Sequence, residues 1–167
     1  NGTIGFPKNQ IPFLFRILIN IKQKHTRDFS FPQRTSRVSE KRHIMNVGQC
    51  SSQTITVKEK DSAIALGSGS LNVFGTPAMI AYMEGLALKM VQNDIPEGCD
   101  TVGIGINAKH IKASPIGSKI TFTSTVSAID GKKISYSIEA KDEKGETIGS
   151  ATHDRFIVDK ERFMNKL

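Results

Sequence analysis

Thr76-Pro-Ala-Met-Ile-Ala-Tyr-Met-Glu-Gly-Leu-Ala-Leu-Lys-Met-Val-Gln92 decides the fold. A hydroxyl residue followed by proline reads as a helix N-cap with proline at the next position, where a missing N–H costs nothing. The helix expected over 78–92 is almost wholly apolar, and its charges are Glu84 and Lys89. Such a helix is wrapped by other structure rather than laid on a surface. Asn93-Asp-Ile-Pro-Glu-Gly98 then stops it.

On either side of this helix the period of the pattern changes from about 3.6 residues to two. Upstream, Gln53–Lys60 alternates as a half-buried strand does, and Gly67-Ser-Gly-Ser70 reads as a flexible loop. Downstream, Val102, Ile104, Ile106, Ala108 and His110 are expected to share one face of a strand. Ile120, Phe122, Ser124, Val126 and Ala128 line a second, and Asp130-Gly131 marks a hairpin turn. Ile134, Tyr136, Ile138 and Ala140 line a third, Lys144-Gly145 turns again, and Glu146–Asp159 is the last. One long buried helix followed by a meander of strands predicts an α+β domain, an antiparallel β-sheet wrapped around a long central α-helix.

The charge is unevenly placed. The chain has 167 residues and a formal net charge of +7. Residues 1–44 hold nine basic residues against Asp28 and Glu40, so the remainder sums to zero. The neutral body gives no reason to expect a nucleic-acid partner. Residues 1–50 are read as a basic tail, disordered or non-native, and residues 51–167 as the domain. Within the tail, Ile11–Ile21 is apolar but too short to span a bilayer, and Arg16 and Asn20 interrupt it. A targeting segment and a partner-binding arm that docks on a membrane surface or nucleic acid are the other readings. Met45 is a candidate natural start. Cys50 and Cys99 lack metal-ligand spacing and are too few for a disulfide framework, so a reducing, cytoplasmic setting is expected, with no metal.

Two motifs mislead. Gly103-Ile-Gly-Ile-Asn-Ala108 fits the letters of a dinucleotide fingerprint but lies inside a strand pattern with no helix after it. Gly67-Ser-Gly-Ser70 lacks the strand–turn–helix setting of a nucleophile elbow.

Glu84 is the most informative residue. Helical spacing sets it among Ile80, Ala87 and Leu88, on an apolar face. An ionised carboxylate there costs several kcal/mol, about, unless something bonds it. A structural acid within the core or at a subunit interface is the plain alternative. His110 ends a strand whose inward positions are apolar, and two polar groups aimed at one helix–sheet contact favour a site over a satisfied core histidine. A His–carboxylate pair supplies a general base, and Thr76 adds a hydroxyl at a helix N-terminus, where free N–H groups favour an oxyanion. Eight residues of helix rise about 12 Å, too far for Thr76 and Glu84 of one chain to touch. Either His110 lies between them or a second subunit contributes part of the site.

Val73-Phe-Gly-Thr-Pro-Ala-Met-Ile-Ala-Tyr-Met-Glu84, Val102-Gly103 and Lys109-His-Ile-Lys-Ala-Ser-Pro-Ile-Gly117 together resemble the hot-dog-fold thioesterases of the fluoroacetyl-CoA thioesterase type. The resemblance runs from about Ser62 to Phe163 and takes in His153-Asp-Arg-Phe156 and Arg162-Phe163. It implies a hot-dog homodimer that hydrolyses acyl-CoA thioesters, with CoA as part of the substrate and no separate cofactor. By the same resemblance Thr76, Glu84 and His110 correspond to the catalytic threonine, glutamate and histidine. Gly103 would offer its backbone to the acyl group, and Arg155 would be the arginine near the active site. The fluoroacetyl-specialised enzyme carries aromatic lid residues ahead of the V-F-x-T-P motif, whereas Ala65–Asn72 here has none. Short or medium acyl groups are therefore expected in place of fluoroacetyl. His110 would deprotonate or orient a water or the Thr76 hydroxyl, and Glu84 would polarise His110 or attack the carbonyl. A non-catalytic acyl-CoA-binding module is the alternative, and a hydratase is disfavoured for want of an Asp/His dehydratase-type motif.

Overall fold

The computed structural model describes residues 45–167. The segment 1–44, with the apolar run Ile11–Ile21, lies outside the described residues. Strand β1 is Cys50–Thr56, helix α1 is Thr76–Val91, and β2 is Cys99–His110. Strands β3 (Lys119–Asp130), β4 (Lys133–Lys141) and β5 (Thr147–Asp159) follow, and α2 (Lys160–Met164) closes the chain. They build a five-stranded sheet in the order β1-β3-β4-β5-β2, with every neighbouring pair antiparallel. The expected meander is there, with β1 and β2 as its two edges.

The first strand begins and ends earlier than its alternation suggests. Lys58 N–H donates to Asp61 Oδ2 at 3.0 Å, which turns Glu59–Asp61 into a single 3₁₀ turn and ends the pairing. The hairpin and turn glycines stand where expected, Gly131 at φ 56° and Gly145 at φ 79°.

Helix α1 buries Met79, Met83, Leu86, Ala87 and Met90, a stripe at helical spacing. Facing it, β3 contributes Ile120, Phe122 and Val126, and β4 contributes Ile134, Tyr136, Ile138 and Ala140. Full burial stabilises each large apolar side chain by roughly 1.5–3 kcal/mol, so this contact holds the fold. The sheet leaves no room for side chains everywhere. Gly149 lies opposite His110, and a Cβ there would meet Met79 Sδ at 2.6 Å and Lys109 O at 2.8 Å.

Two bulges correct the strand faces read from periodicity. The β2–β5 register shifts between Gly103 and Gly105, leaving Ile104 as the extra residue. Paired residues share a face. The face that looks at α1 therefore runs Thr101, Gly103, then Ile106, Ala108 and His110, opposite Ile157, Arg155, His153, Ala151 and Gly149. Val102 and Ile104 fall out of the expected set. The Gly-Ile-Gly that mimicked a nucleotide fingerprint is this bulge. A second shift after Val126 leaves Ala128 exposed, although Ile120, Phe122, Ser124 and Val126 are buried as predicted.

Candidate active site

The N-terminus of α1 differs from its expected form. Gly75 is the N-cap, in an extended conformation and with no side-chain bond, and Thr76 is the first helical residue. Its hydroxyl is used elsewhere. Thr76 Oγ1 lies 3.0 Å from His110 Nδ1, so the last residue of β2 and the first of α1 are joined. Phe74 stands edge-on to the imidazole at 6.0 Å. Burial pushes the His110 pKa below the usual imidazole value, and the Lys112 backbone offsets part of that. His110 Nε2 is buried and makes no hydrogen bond of good geometry, so the Lys112 backbone acts on it only as a nearby dipole. The nitrogen left for proton exchange is Nδ1, on the Thr76 side.

A cleft of about 280 Å³ opens over this pair, walled by Val73, Phe74, Ile111 and Ala113, with Ser68 and Lys112 as polar members. The Ile111 side chain that lines it is largely exposed. Lys112 is no free cation there. Its Nζ bonds Asp142 at 2.6 Å and also Glu146, which ties the cleft wall to the β4–β5 turn.

Glu84 sits apart. Its side chain is 41% exposed, so within one chain it is not the buried acid that helical spacing suggests. The stripe that packs on the sheet is centred on Met83 and Leu86, and Glu84 falls at its margin. Glu84 Oε1 is 3.9 Å from His153 Nε2. Gly103 lies beneath it, and a Cβ at that position would come within 2.9 Å of Glu84 Oε1 and 3.2 Å of His153 Cε1. Absence of a side chain at 103 is what admits the carboxylate. Arg155 is buried and turned inward: Nε donates to Thr101 Oγ1 at 2.8 Å, and Nη2 donates to Thr101 O at 2.7 Å.

Thr76 and His110 are thus brought together, and Glu84, Gly103 and Arg155 form a second group further along the helix. His153 and Thr101 were not predicted. The bulge hides Thr101, because uniform alternation turns it to the outer face. His153 lay in the expected last strand, two residues before Arg155 and so on the same face, which is the signal that could have found it.

Among the described residues no group of three or more His, Cys, Asp or Glu side chains is arranged to hold a metal, and no helix is long and apolar enough to cross a membrane.

An antiparallel sheet curled on one long helix is the hot-dog fold. A hot-dog-like protein from Thermanaerovibrio acidaminovorans superposes with a TM-score of 0.67 at 24% identity, over 72% of this chain and 88% of that one. A solved structure of the fluoroacetyl-CoA thioesterase superposes at 0.69 and 26% identity, covering 73% of this chain and 94% of that one. In sequence, the fluoroacetyl-CoA thioesterase of Streptantibioticus cattleyicolor is 30% identical over 95 residues, 57% of this chain and 68% of that protein. Residues 57–161 match the fluoroacetyl-CoA-specific thioesterase family, and the chain belongs to it.

Proposed function

We propose that the protein hydrolyses acyl-CoA thioesters of short or medium acyl groups, at a site that two copies of the chain complete. The observation that carries this reading is the 3.0 Å contact between the Thr76 hydroxyl and a neutral imidazole. A hydroxyl held against a base in a cleft has the geometry of a nucleophile–base pair. Family membership supplies the thioester, and one variant of the fluoroacetyl-CoA thioesterase has been solved with acetyl-CoA bound.

In the proposed reaction the Thr76 hydroxyl proton passes to His110 Nδ1 as Oγ1 adds to the thioester carbonyl. The C–S bond breaks, and the sulfur leaves as the CoA thiol with that proton. Water then attacks the acyl-threonine and gives up a proton to a carboxylate. The Oγ–C bond breaks, the acid departs, and Oγ1 takes the proton that the carboxylate had accepted, which restores both groups. N–H groups at the start of α1 stabilise the oxyanion in each step.

Glu84 is the carboxylate in this scheme, and the helix separates it from Thr76 of its own chain by about 12 Å. Two features support a second copy as the donor. Ile80, Ala81, Gly85 and Leu88 lie on the side of α1 that the sheet leaves partly uncovered, and they are small or apolar. Strand β2 is an edge strand of 12 residues, long enough to pair with its own copy. Two copies with antiparallel helices would carry Glu84 of the partner subunit toward Thr76 and His110.

The test is release of free thiol from acetyl- to octanoyl-CoA by the wild type, Glu84→Ala and His110→Ala. Turnover by the wild type alone supports the site. Equal rates in all three proteins would sink it, and saturable binding without turnover would make the protein a binding module.

A further inference from the structure

Beside Glu84 the sheet holds a buried cation with no carboxylate in direct contact among the described residues. Arg155 is 6% exposed, and among the described residues it forms no ion pair. Removing a guanidinium from water without a counter-charge is costly, so the acceptors around it need a reason. They are neutral: Thr101 Oγ1 at 2.8 Å, Thr101 O at 2.7 Å and His153 Nε2 at 3.3 Å.

The histidine fits this task in one protonation state. His153 Nδ1 donates to Gly105 O at 2.8 Å, which fixes the proton on that nitrogen and leaves Nε2 bare to accept from Arg155. Burial, aided by the Arg155 charge, holds its pKa below the usual value, so the ring stays neutral. Tyr136 stacks on its face at 6.3 Å. The bulge at Gly103–Gly105 is what turns the Gly105 carbonyl to this ring and Thr101 to the arginine. Of the carboxylates acting on Arg155, Glu84 leads, ahead of Asp100.

We propose that Thr101 and His153 are positioning residues for Glu84: together they fix the Arg155 guanidinium as a dry cation beside the carboxylate. Glu84 rests in the space above Gly103, the residue paired with Arg155, and its Oε1 lies 3.9 Å from His153 Nε2, so the field of the cation acts on the oxygen that lies over the sheet. The inference rests on the thioesterase reading of Glu84. It assigns the sheet's polar cluster to orienting one carboxylate, with no contact to substrate.

The experiment compares Thr101→Val with Thr101→Ser in the thiol-release assay, each with a melting curve. Valine keeps the shape and removes the Oγ1 acceptor while leaving the Thr101 carbonyl in place, and serine restores the hydroxyl. The expected result is a fall in kcat of about tenfold or more for Thr101→Val with KM unchanged, and recovery in Thr101→Ser, because small misplacements of a reacting group are costly. Wild-type kcat in Thr101→Val, or an equal loss in both variants, overturns the inference. Should Thr101→Val fail to fold, His153→Gln and His153→Asn replace the pair. Glutamine returns an acceptor near the Nε2 position and asparagine does not, so Gln above Asn in kcat is expected, and equal values overturn it. An active wild type with an indifferent Thr101→Val defeats this inference and leaves the thioesterase reading standing. A wild type inactive on every acyl-CoA defeats both.

Discussion

Thr76 Oγ1 and His110 Nδ1 lie 3.0 Å apart, and the hydroxyl, on the first helical residue of α1, does not cap its own helix. Gly75 is the cap and offers no side chain. Chemistry and helix stability are therefore separable at this position. Thr76→Val removes the proposed nucleophile and should lower kcat by about 10⁴-fold or more, as loss of a nucleophile does. Its melting temperature should stay near that of the wild type, since no side-chain cap is lost. Thr76→Ser should keep most of the activity. Steady-state kinetics beside calorimetry on the three proteins would check this, and a large drop in melting temperature for Thr76→Val would return the residue to a capping role.

In the proposed reaction His110 can take the Thr76 proton only when it is itself unprotonated. Burial places its folded-state pKa below the ordinary 6.5, so kcat/KM should stay level down through that pH and fall only below it. A pH–rate profile whose acid limb is centred at or above 6.5 would contradict the assignment.

The same two histidines make stability depend on pH, with a definite sign. His110 and His153 both have folded-state pKa values lowered mainly by burial. Below the unfolded value of 6.5 the unfolded chain takes up protons that the folded chain refuses. Their contribution is complete above that pH and is lost as pH falls toward the folded values. Glu139, Asp142 and Asp154 are carboxylates whose lowered values act at more acid pH. Urea unfolding at pH 7.5 and at pH 5.5 should show the wild type losing stability between them, and His153→Gln losing less.

Residue pattern carried the architecture and part of the site, for reasons the particular residues make plain. The apolar run from Ala78 to Val91 cannot be a surface helix, and the β4 alternation of Ile134, Tyr136, Ile138 and Ala140 is buried at every position expected. Both depend on an unbroken period. β2 has a broken one. Ile104 is an extra residue, so everything before it changes face, and Thr101 and Gly103 join the inner surface where alternation had put Val102 and Ile104. Nothing local in Thr101-Val-Gly-Ile-Gly105 marks which residue will be left unpaired. Glu84 failed in another way: its helical face was read correctly as apolar, but a single sheet does not cover all of an apolar helix, and 41% of its side chain stays exposed.

Gly149 gives a test of packing alone. Its missing Cβ makes room for Met79 Sδ and for the Lys109 carbonyl across the strand. Met79 can adjust and a backbone carbonyl can do so only by bending β2. Gly149→Ala should destabilise by about 1–3 kcal/mol, the cost of overpacking a filled core. Because Gly149 is paired with His110, it should lower activity as well. Denaturant midpoints and thiol release on the same sample would show both effects. Unchanged stability would mean that the strand shifts freely there.

A shared site makes one demand that no single-chain site can meet. If Glu84 acts on Thr76 and His110 of the other copy, Glu84→Gln and His110→Gln dimers are each inactive in both of their sites. In a mixed dimer, one site receives both lost groups and is dead twice over, while the other receives His110 from one chain and Glu84 from its partner subunit and is whole. Mixing equal amounts under conditions that let subunits exchange should restore about a quarter of wild-type activity, since half of the dimers are mixed and each carries one intact site. The recovery should follow the kinetics of subunit exchange and vanish when the two variants are mixed after cross-linking. If both groups acted within one chain, every site in the mixture would lack one of them. Activity that stays at the level of the separate variants, under conditions where exchange is shown to occur, would place Glu84 outside the shared site.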